Sequence, residues 1–306
     1  MPKVSVIVPV YGVEKYIERC ARSLFEQTLD DIEYLFIDDC TPDKSIEVLK
    51  RVLDEYPNRK DHVIIHRMEQ NSGQAAVRKW GILNATGEYI IHCDSDDWAD
   101  VTMYETLYRK AKEEDADVVV CEHFDTDGVN HKPSKHVFKD DKLYLMFNFP
   151  TLWEKLVKRS LFTNNEIEFP SGNMGEDKAI SIQLLWFAKS WTYICQPLYY
   201  YYINPQSISN IMTKQKALER FEMARNNIVI VETFIEQKHI KGADHYVDIM
   251  KKRCVDWLIS ALPDRELLDM YRHTFKGLPF RILTNRIIPI KEKLHYYLLY
   301  IGLMNN

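Results

Sequence analysis

Apolar positions along this chain follow two rhythms. Val4-Ser-Val-Ile-Val-Pro9, Tyr34-Leu-Phe-Ile37, residues 62–66, Tyr89-Ile-Ile-His-Cys93 and residues 117–121 are short, mostly apolar runs rich in β-branched and aromatic residues. Such runs predict buried strands. Between them lie segments with apolar residues at helical spacing, predicting helices over 14–27, 41–56, 74–85 and 103–113. Thr41-Pro42 supplies a hydroxyl cap followed by proline at the first helical position, and Gly87 is placed as the stop of the 74–85 helix. Strand alternating with helix predicts a parallel α/β sheet.

The pattern then changes. Residues 122–139 are polar and contain the Asp127-Gly128 turn, predicting a hairpin or a mobile loop. Residues 143–162 return to apolar helical spacing, 176–189 form an amphipathic helix, and 191–203 read as one or two strands. Beyond Lys214 the chain is helical over roughly 215–237, 244–262 and 281–303, so a domain change is expected near residue 210.

Composition narrows the classes. The 306 residues are 46% hydrophobic and 28% charged, ordinary for a folded globular protein. A net charge of −5 argues against a nucleic-acid binder. Six scattered cysteines with no C-x-x-C pair suit a reduced, cytoplasmic setting. Met1-Pro-Lys leads straight into a strand, so no signal peptide is expected, and no apolar run reaches the ~20 residues of a membrane span. The basic, tyrosine-rich stretch 281–304 leaves two roles open, peripheral contact with an anionic membrane face or tertiary helix packing.

The candidate chemistry sits at strand ends. Asp38-Asp39 closes one apolar run and Asp94-Ser-Asp-Asp97 closes another. In an open parallel sheet the C-terminal edge binds ligands, and carboxylates crowded there call for a hard cation. One of Asp38 and Asp39 is expected to cap the next helix; the other can accept from a ligand N–H. The D-x-D spacing lets Asp94 and Asp96 point the same way from extended backbone. Asn71 precedes a helix start whose amides favour anions. Arg78 on that helix can reach a ligand or pair with an aspartate. Glu176-Asp177 opens a helix after Gly172 and Gly175, suiting either a dipole partner or a carboxylate that meets substrate. His92 and the run Leu198–Tyr202 read more simply as packing.

Val4-Ser-Val-Ile-Val-Pro-Val-Tyr11, Phe36-Ile-Asp-Asp39, Asn71-Ser-Gly73, Gly87-Glu-Tyr-Ile90 and Asp94-Ser-Asp-Asp97 occur in that order. Together they resemble the family 2 glycosyltransferases of the GT-A fold, a Rossmann-like α/β class with a mixed, mostly parallel sheet flanked by helices. Trp153-Glu-Lys-Leu156, Glu176-Asp177 and the tyrosine run with Ser207-Ile-Ser209 extend the likeness to about residue 210, in the manner of members that build bacterial surface polysaccharides.

The resemblance implies a transferase domain over 1–210 with a helical region over 211–306. It implies a UDP-sugar donor, a saccharide or lipid-linked saccharide acceptor, inversion at the anomeric carbon, and Mn2+ or Mg2+. Pro9, Val10 and Tyr11 would flank uracil and Asp39 would take its N3–H. Asn71, Arg78, Asp94 and Ser95 would lie near the nucleotide. Asp96, with Asp94, would hold the metal, and Asp177 would be the base. No Q-x-x-R-W motif is present, which points away from processive synthesis.

Three other readings stay open. A sugar-phosphate nucleotidyltransferase would need a basic, glycine-rich loop where Pro9-Val-Tyr-Gly-Val-Glu14 stands. A phosphotransfer domain would need a carboxylate at the end of the first strand. A non-catalytic binding subunit would use the C-terminal helices to hold a partner enzyme.

Overall fold

A computed structural model describes residues 1–134, 136–204, 213–261, 270 and 273–300. Ser207-Ile-Ser209 of the resemblance, and the far ends of two expected helices (262 and 301–303), lie outside these. The chain divides into two units, one of residues 1–169 and 180–205, the other of 170–179 and 206–306. Residues 170–179 thus group with the helical C-terminal part. Among the described residues, no helix is long and apolar enough to cross a membrane.

The first unit is built on strands β1 (Val4–Val10), β2 (Ile32–Asp38), β3 (Val63–Arg67), β4 (Tyr89–His92), β5 (Trp98–Ala99), β6 (Val118–Thr126), β7 (His131–Pro133), β8 (Lys155–Lys158) and β9 (Trp191–Tyr202). They join in the order β3-β2-β1-β4-β8-β6-β9-β5, with β7 on β6. The first four run parallel. β8 is antiparallel to both β4 and β6, and β9 is parallel to β6. β1 takes β2 on one side and β4 on the other. That is the point of reversed order where open α/β sheets bind ligands, and the ends of β1, β2 and β4 converge on it.

Period-two alternation sorts β1 between two cores. Val4, Val6, Val8 and Val10 pack with Ile17, Leu24, Leu49 and Leu107, from helices α1 (Ile17–Phe25), α2 (Ser45–Asp54) and α4 (Met103–Glu113). Ile7 faces the other way, joining Leu35 and Ile37 against Val77 and Ile82 of α3 (Gln74–Asn84). Covering both faces is what makes these strands apolar throughout. Buried Glu33 in β2 accepts from Ser5 Oγ and from Thr86 Oγ1 at 2.8 Å.

Several expectations are corrected in detail. The second helix starts at Ser45, not Thr41, because the Asp43 carboxylate intercepts Thr41 Oγ1 at 2.7 Å and the Ser45 amide at 3.1 Å. Gly87 is not a helix stop. A Cβ there would fall 2.6 Å from Ser5 Oγ and 2.8 Å from the Ser5 nitrogen, so close backbone approach dictates the glycine. The 143–162 stretch is not one helix. It gives α5 (Lys142–Asn148), strand β8 and a short α6 (Ser160–Thr163). Pro150 interrupts it, and Leu156 and Val157 are buried within the sheet. Within 122–139, a hairpin forms over 124–133: β6 runs on to Thr126, and Asp127 accepts from the Val129 and Asn130 amides at 2.9 and 2.7 Å.

In the second unit, α8 (Lys214–Gln237) and α9 (Asp244–Ala261) are followed by helices Leu278–Thr284 and Ile290–Tyr300. Thr213 caps α8 by accepting from the Lys216 amide at 3.2 Å, and Arg281 pairs with buried Asp248 at 2.8 Å. Among the described residues of the 281–304 stretch, Ile282 and Tyr296 are buried, while Ile287, Ile290 and Leu294 are exposed.

Gly81 gives a direct test of how tightly α3 lies on the sheet. A Cβ there would sit 2.5 Å from Ile7 Cγ2 and 3.3 Å from Ile37 Cδ1. Gly81→Ala gains about 1 kcal/mol of helix propensity but forces overpacking worth roughly 1–3 kcal/mol. We expect net destabilisation in urea unfolding; a more stable variant would show that α3 stands off the sheet.

Candidate active site

The five aspartates at the strand ends, Asp38, Asp39, Asp94, Asp96 and Asp97, have different surroundings. Asp38 is buried and committed to the fold: it accepts from the Thr41 amide at 2.7 Å and pairs with Arg67 at 2.8 Å. Asp39 is also buried, its two oxygens accepting from the Ser72 and Gly73 amides at 2.7 and 2.8 Å. It therefore ties the end of β2 to the turn that starts α3. Each of its oxygens has a second lone pair.

The turn after β4 divides its carboxylates in the same way. Asp97 is 1% exposed. It accepts from Tyr199 Oη at 2.8 Å and from the Tyr202 amide at 2.7 Å, which fastens β9 beside β5. Burial, then Asp96 and Asp94, push its carboxyl well above the ordinary range. Asp94 is partly exposed and accepts on one oxygen from Arg78 at 2.8 Å and Gln74 at 3.2 Å. Arg78 itself is fully enclosed at 1% exposure. Pairing, the more conservative of its two expected roles, is what the geometry shows.

Asp96 is the exception. The side-chain bond seen at its carboxylate is a long one, 3.4 Å from Asn204. Its backbone is pinned instead, the carbonyl accepting from Arg19 at 3.0 Å. Burial and the neighbouring Asp94 raise its carboxyl above the usual value. Two carboxylates in one turn, one half-neutralised and one barely engaged, offer hard oxygens of the kind Mn2+ or Mg2+ binds. Ser95 between them is buried.

The rim around these groups is firm. The Gly12, Val13 and Glu14 amides after β1 donate to Thr41, Ser45 and Asp43 at 2.8, 3.1 and 2.9 Å, while the Asp39 amide donates to the Val10 carbonyl at 3.0 Å. Tyr11 stands 44% exposed on this rim, beside buried Val10 and half-buried Pro9. Asn71 is exposed just ahead of the Ser72–Gly73 turn. A groove of about 690 Å³ lies elsewhere in this unit, against Lys15, Arg19, Trp98 and Tyr200; Asp39, Asp94 and Asp96 do not line it.

The family model for glycosyl transferase family 2 matches residues 5–181. The chain belongs to that family. It is similar to EpsH of Bacillus subtilis, which bears the name "putative glycosyltransferase", 30% identical over 294 residues, 89% of this chain and 82% of EpsH. It is also similar to the glycosyltransferase GlyA of Streptococcus pneumoniae, 30% identical over 231 residues, which are 70% of this chain. The match spans only 32% of GlyA's own length. Among solved structures, S. aureus TarS residues 1–349 in complex with UDP aligns with a TM-score of 0.60 at 18% identity, covering 98% of this chain and 91% of that one. At that identity the likeness establishes the fold, and the GT-A expectation holds.

In this family 2 glycosyltransferase, Asp177 belongs to the second unit. It is half-buried in the first turn of α7 (Glu176–Phe187), next to buried Glu176. The loop ahead of it is held within that unit: Asn227 donates to the Gly172 and Met174 carbonyls at 3.2 and 2.7 Å, and Gly175 turns with φ +78°.

Sequence reading alone missed the residues that support the aspartates. Tyr199 donates to Asp97 and accepts from the Asp94 amide at 3.0 Å. Arg19 stacks 3.6 Å over Trp98 while holding the Asp96 carbonyl. The available signal was the tyrosine run itself, since a buried phenol needs a partner for its hydroxyl. His92 is enclosed at 2% exposure, as its strand setting implied.

Asp96 carries the cost of the site. A carboxyl whose folded value is raised gives up stability as pH climbs above its unfolded value near 4, since the fold then holds a disfavoured charge. Asp96→Asn should therefore stabilise the metal-free protein at neutral pH by about 0.5–2 kcal/mol, the range usual for relieving a functional site. Thermal unfolding in EDTA checks this; a lower melting temperature would mean that Asp96 is a structural group.

Proposed function

We propose that this chain moves one sugar from a UDP-sugar to a hydroxyl of a saccharide or lipid-linked saccharide, with inversion, in the assembly of a surface polysaccharide. The observation that carries the reading is Asp96, a carboxylate crowded against Asp94 at the sheet's switch point whose hydrogen bond among the described residues is a long one from Asn204. Kinship with EpsH and GlyA supports sugar transfer, and the UDP bound by TarS supports a uridine donor.

Pro9, Val10 and Tyr11 flank the base in this proposal, and Asp39 uses a spare lone pair for the N3–H while keeping its grip on Ser72 and Gly73. Asn71 and Ser95 border the nucleotide. Arg78 acts through Asp94, holding one carboxylate oxygen so that the other is free. Asp94 and Asp96 would hold Mn2+ or Mg2+, which when bound offsets the charge gathering on the departing diphosphate.

Asp177 acts as the general base. It takes the proton of the acceptor hydroxyl as that oxygen bonds to the anomeric carbon from the face opposite the diphosphate. The carbon–oxygen bond to the diphosphate breaks, and its electron pair leaves with UDP. A base of this kind contributes about 10²–10⁴-fold.

Titration calorimetry with UDP, with and without Mn2+, tests the donor half. Wild type should bind UDP more tightly with Mn2+, and Asp96→Ala should erase the difference; indifference to both sinks the reading. For the acceptor half, Asp177→Asn should lose roughly 10²–10⁴ in transfer rate with UDP affinity unchanged. Wild-type turnover by that variant would remove Asp177 from the chemistry.

A further inference from the structure

A second cluster of metal-binding groups lies away from the aspartates, in the same unit. His123 on β6, His136 beyond β7 and Glu154 just before β8 each offer one ligand atom, and these atoms lie within 4.8 Å of one another. Nothing in the transfer chemistry uses them. The geometry points to a binding site for a transition-metal dication of the Zn2+ class, held by His123, His136 and Glu154 and separate from the donor site.

The donor set fits that class. Two imidazoles and one carboxylate suit Zn2+ and its neighbours, whereas Mg2+ and Ca2+ prefer oxygen alone. Among the described residues, the Nδ1 atoms of both histidines are shut off from solvent with no hydrogen-bond partner, so neither is committed to the fold. His123 presents its other nitrogen, Nε2, to Asp125 at 3.6 Å. An outer carboxylate on the far nitrogen is the usual device for orienting a metal-bound imidazole.

The cluster is braced from several sides. Trp153 packs edge-on against the His123 ring at 4.8 Å, and Phe149 against His136 at 5.4 Å. Glu154 is 2% exposed, and Lys155 engages its Oε1 at 2.9 Å, leaving the second oxygen for the metal. The segment carrying His136 is tied down by Ser134, which donates to Glu122 at 2.7 Å. Zn2+ takes nitrogen and carboxylate ligands of this kind at about 2.0–2.2 Å in tetrahedral geometry. Three protein ligands leave a fourth position for water.

The test uses the full chain loaded with Zn2+ and dialysed, with metal content read by mass spectrometry. Wild type and Asp96→Ala should each keep one equivalent. His136→Ala and His123→Gln should weaken Zn2+ by more than about 100-fold, beyond the loss typical of an outer-sphere partner. Co2+ in place of Zn2+ should show intense visible bands of four-coordinate metal, lost in His136→Ala. Hydrogen exchange of residues 127–139 should slow when Zn2+ is added. Absence of retained metal in wild type, retention undiminished in His136→Ala, or loss in Asp96→Ala would each overturn the assignment.

Discussion

Three carboxylates in the turn Asp94–Asp97 repel one another in a half-enclosed setting, and most of the surrounding structure answers that repulsion. Arg78, itself fully enclosed, neutralises Asp94. Tyr199 and the Tyr202 amide satisfy Asp97. Among the described residues, the Asp96 carboxylate receives a long contact from Asn204. A carboxylate held near a like charge is costly, and among the described residues the neighbours of Asp96 are better compensated than Asp96 itself.

The sheet explains how partners so distant in the chain meet there. β9 runs parallel to β6 and then pairs with the short β5, which delivers Tyr199 and Tyr202 to a turn about a hundred residues earlier. α3 crosses close above β1, where a Cβ at position 81 would fall 2.5 Å from Ile7 Cγ2, and Arg78 on this helix stands 2.8 Å from Asp94. Asp39 uses both oxygens to lock the start of α3 to the end of β2. Packing on one face of the sheet therefore sets the charge balance at its edge.

The strands and their acidic ends were legible because local rules decide them: buried runs of alternating or continuous apolar residues, then carboxylates. Which aspartate serves the fold was not legible, since Asp97 depends on Tyr199 and Asp94 on Arg78, contacts that no local spacing encodes. The 143–162 stretch misled for a related reason. Leu156 and Val157 fit a helical spacing as well as a strand, and buried Lys155 looks unlike a strand residue until Glu154 is seen to pair with it. The hairpin at Asp127-Gly128 was readable from its turn, whereas the meeting of His123, His136 and Glu154 follows only from the pairing of β6 with β7 and β8.

Asp96 as the residue that brings a cation to the donor's diphosphate is the claim on which the account stands. The most direct measurement is paramagnetic relaxation of the UDP phosphorus nuclei by Mn2+, recorded by 31P NMR in the presence of wild type and of Asp96→Asn, with UDP in excess of Mn2+ and Mn2+–UDP in buffer as the reference. The account predicts that wild type strongly changes the relaxation of both phosphates relative to the reference, and that the folded variant leaves it at the reference value. Equal relaxation with the two proteins would contradict it, because the metal would then reach the diphosphate without the carboxylate that the fold sets aside.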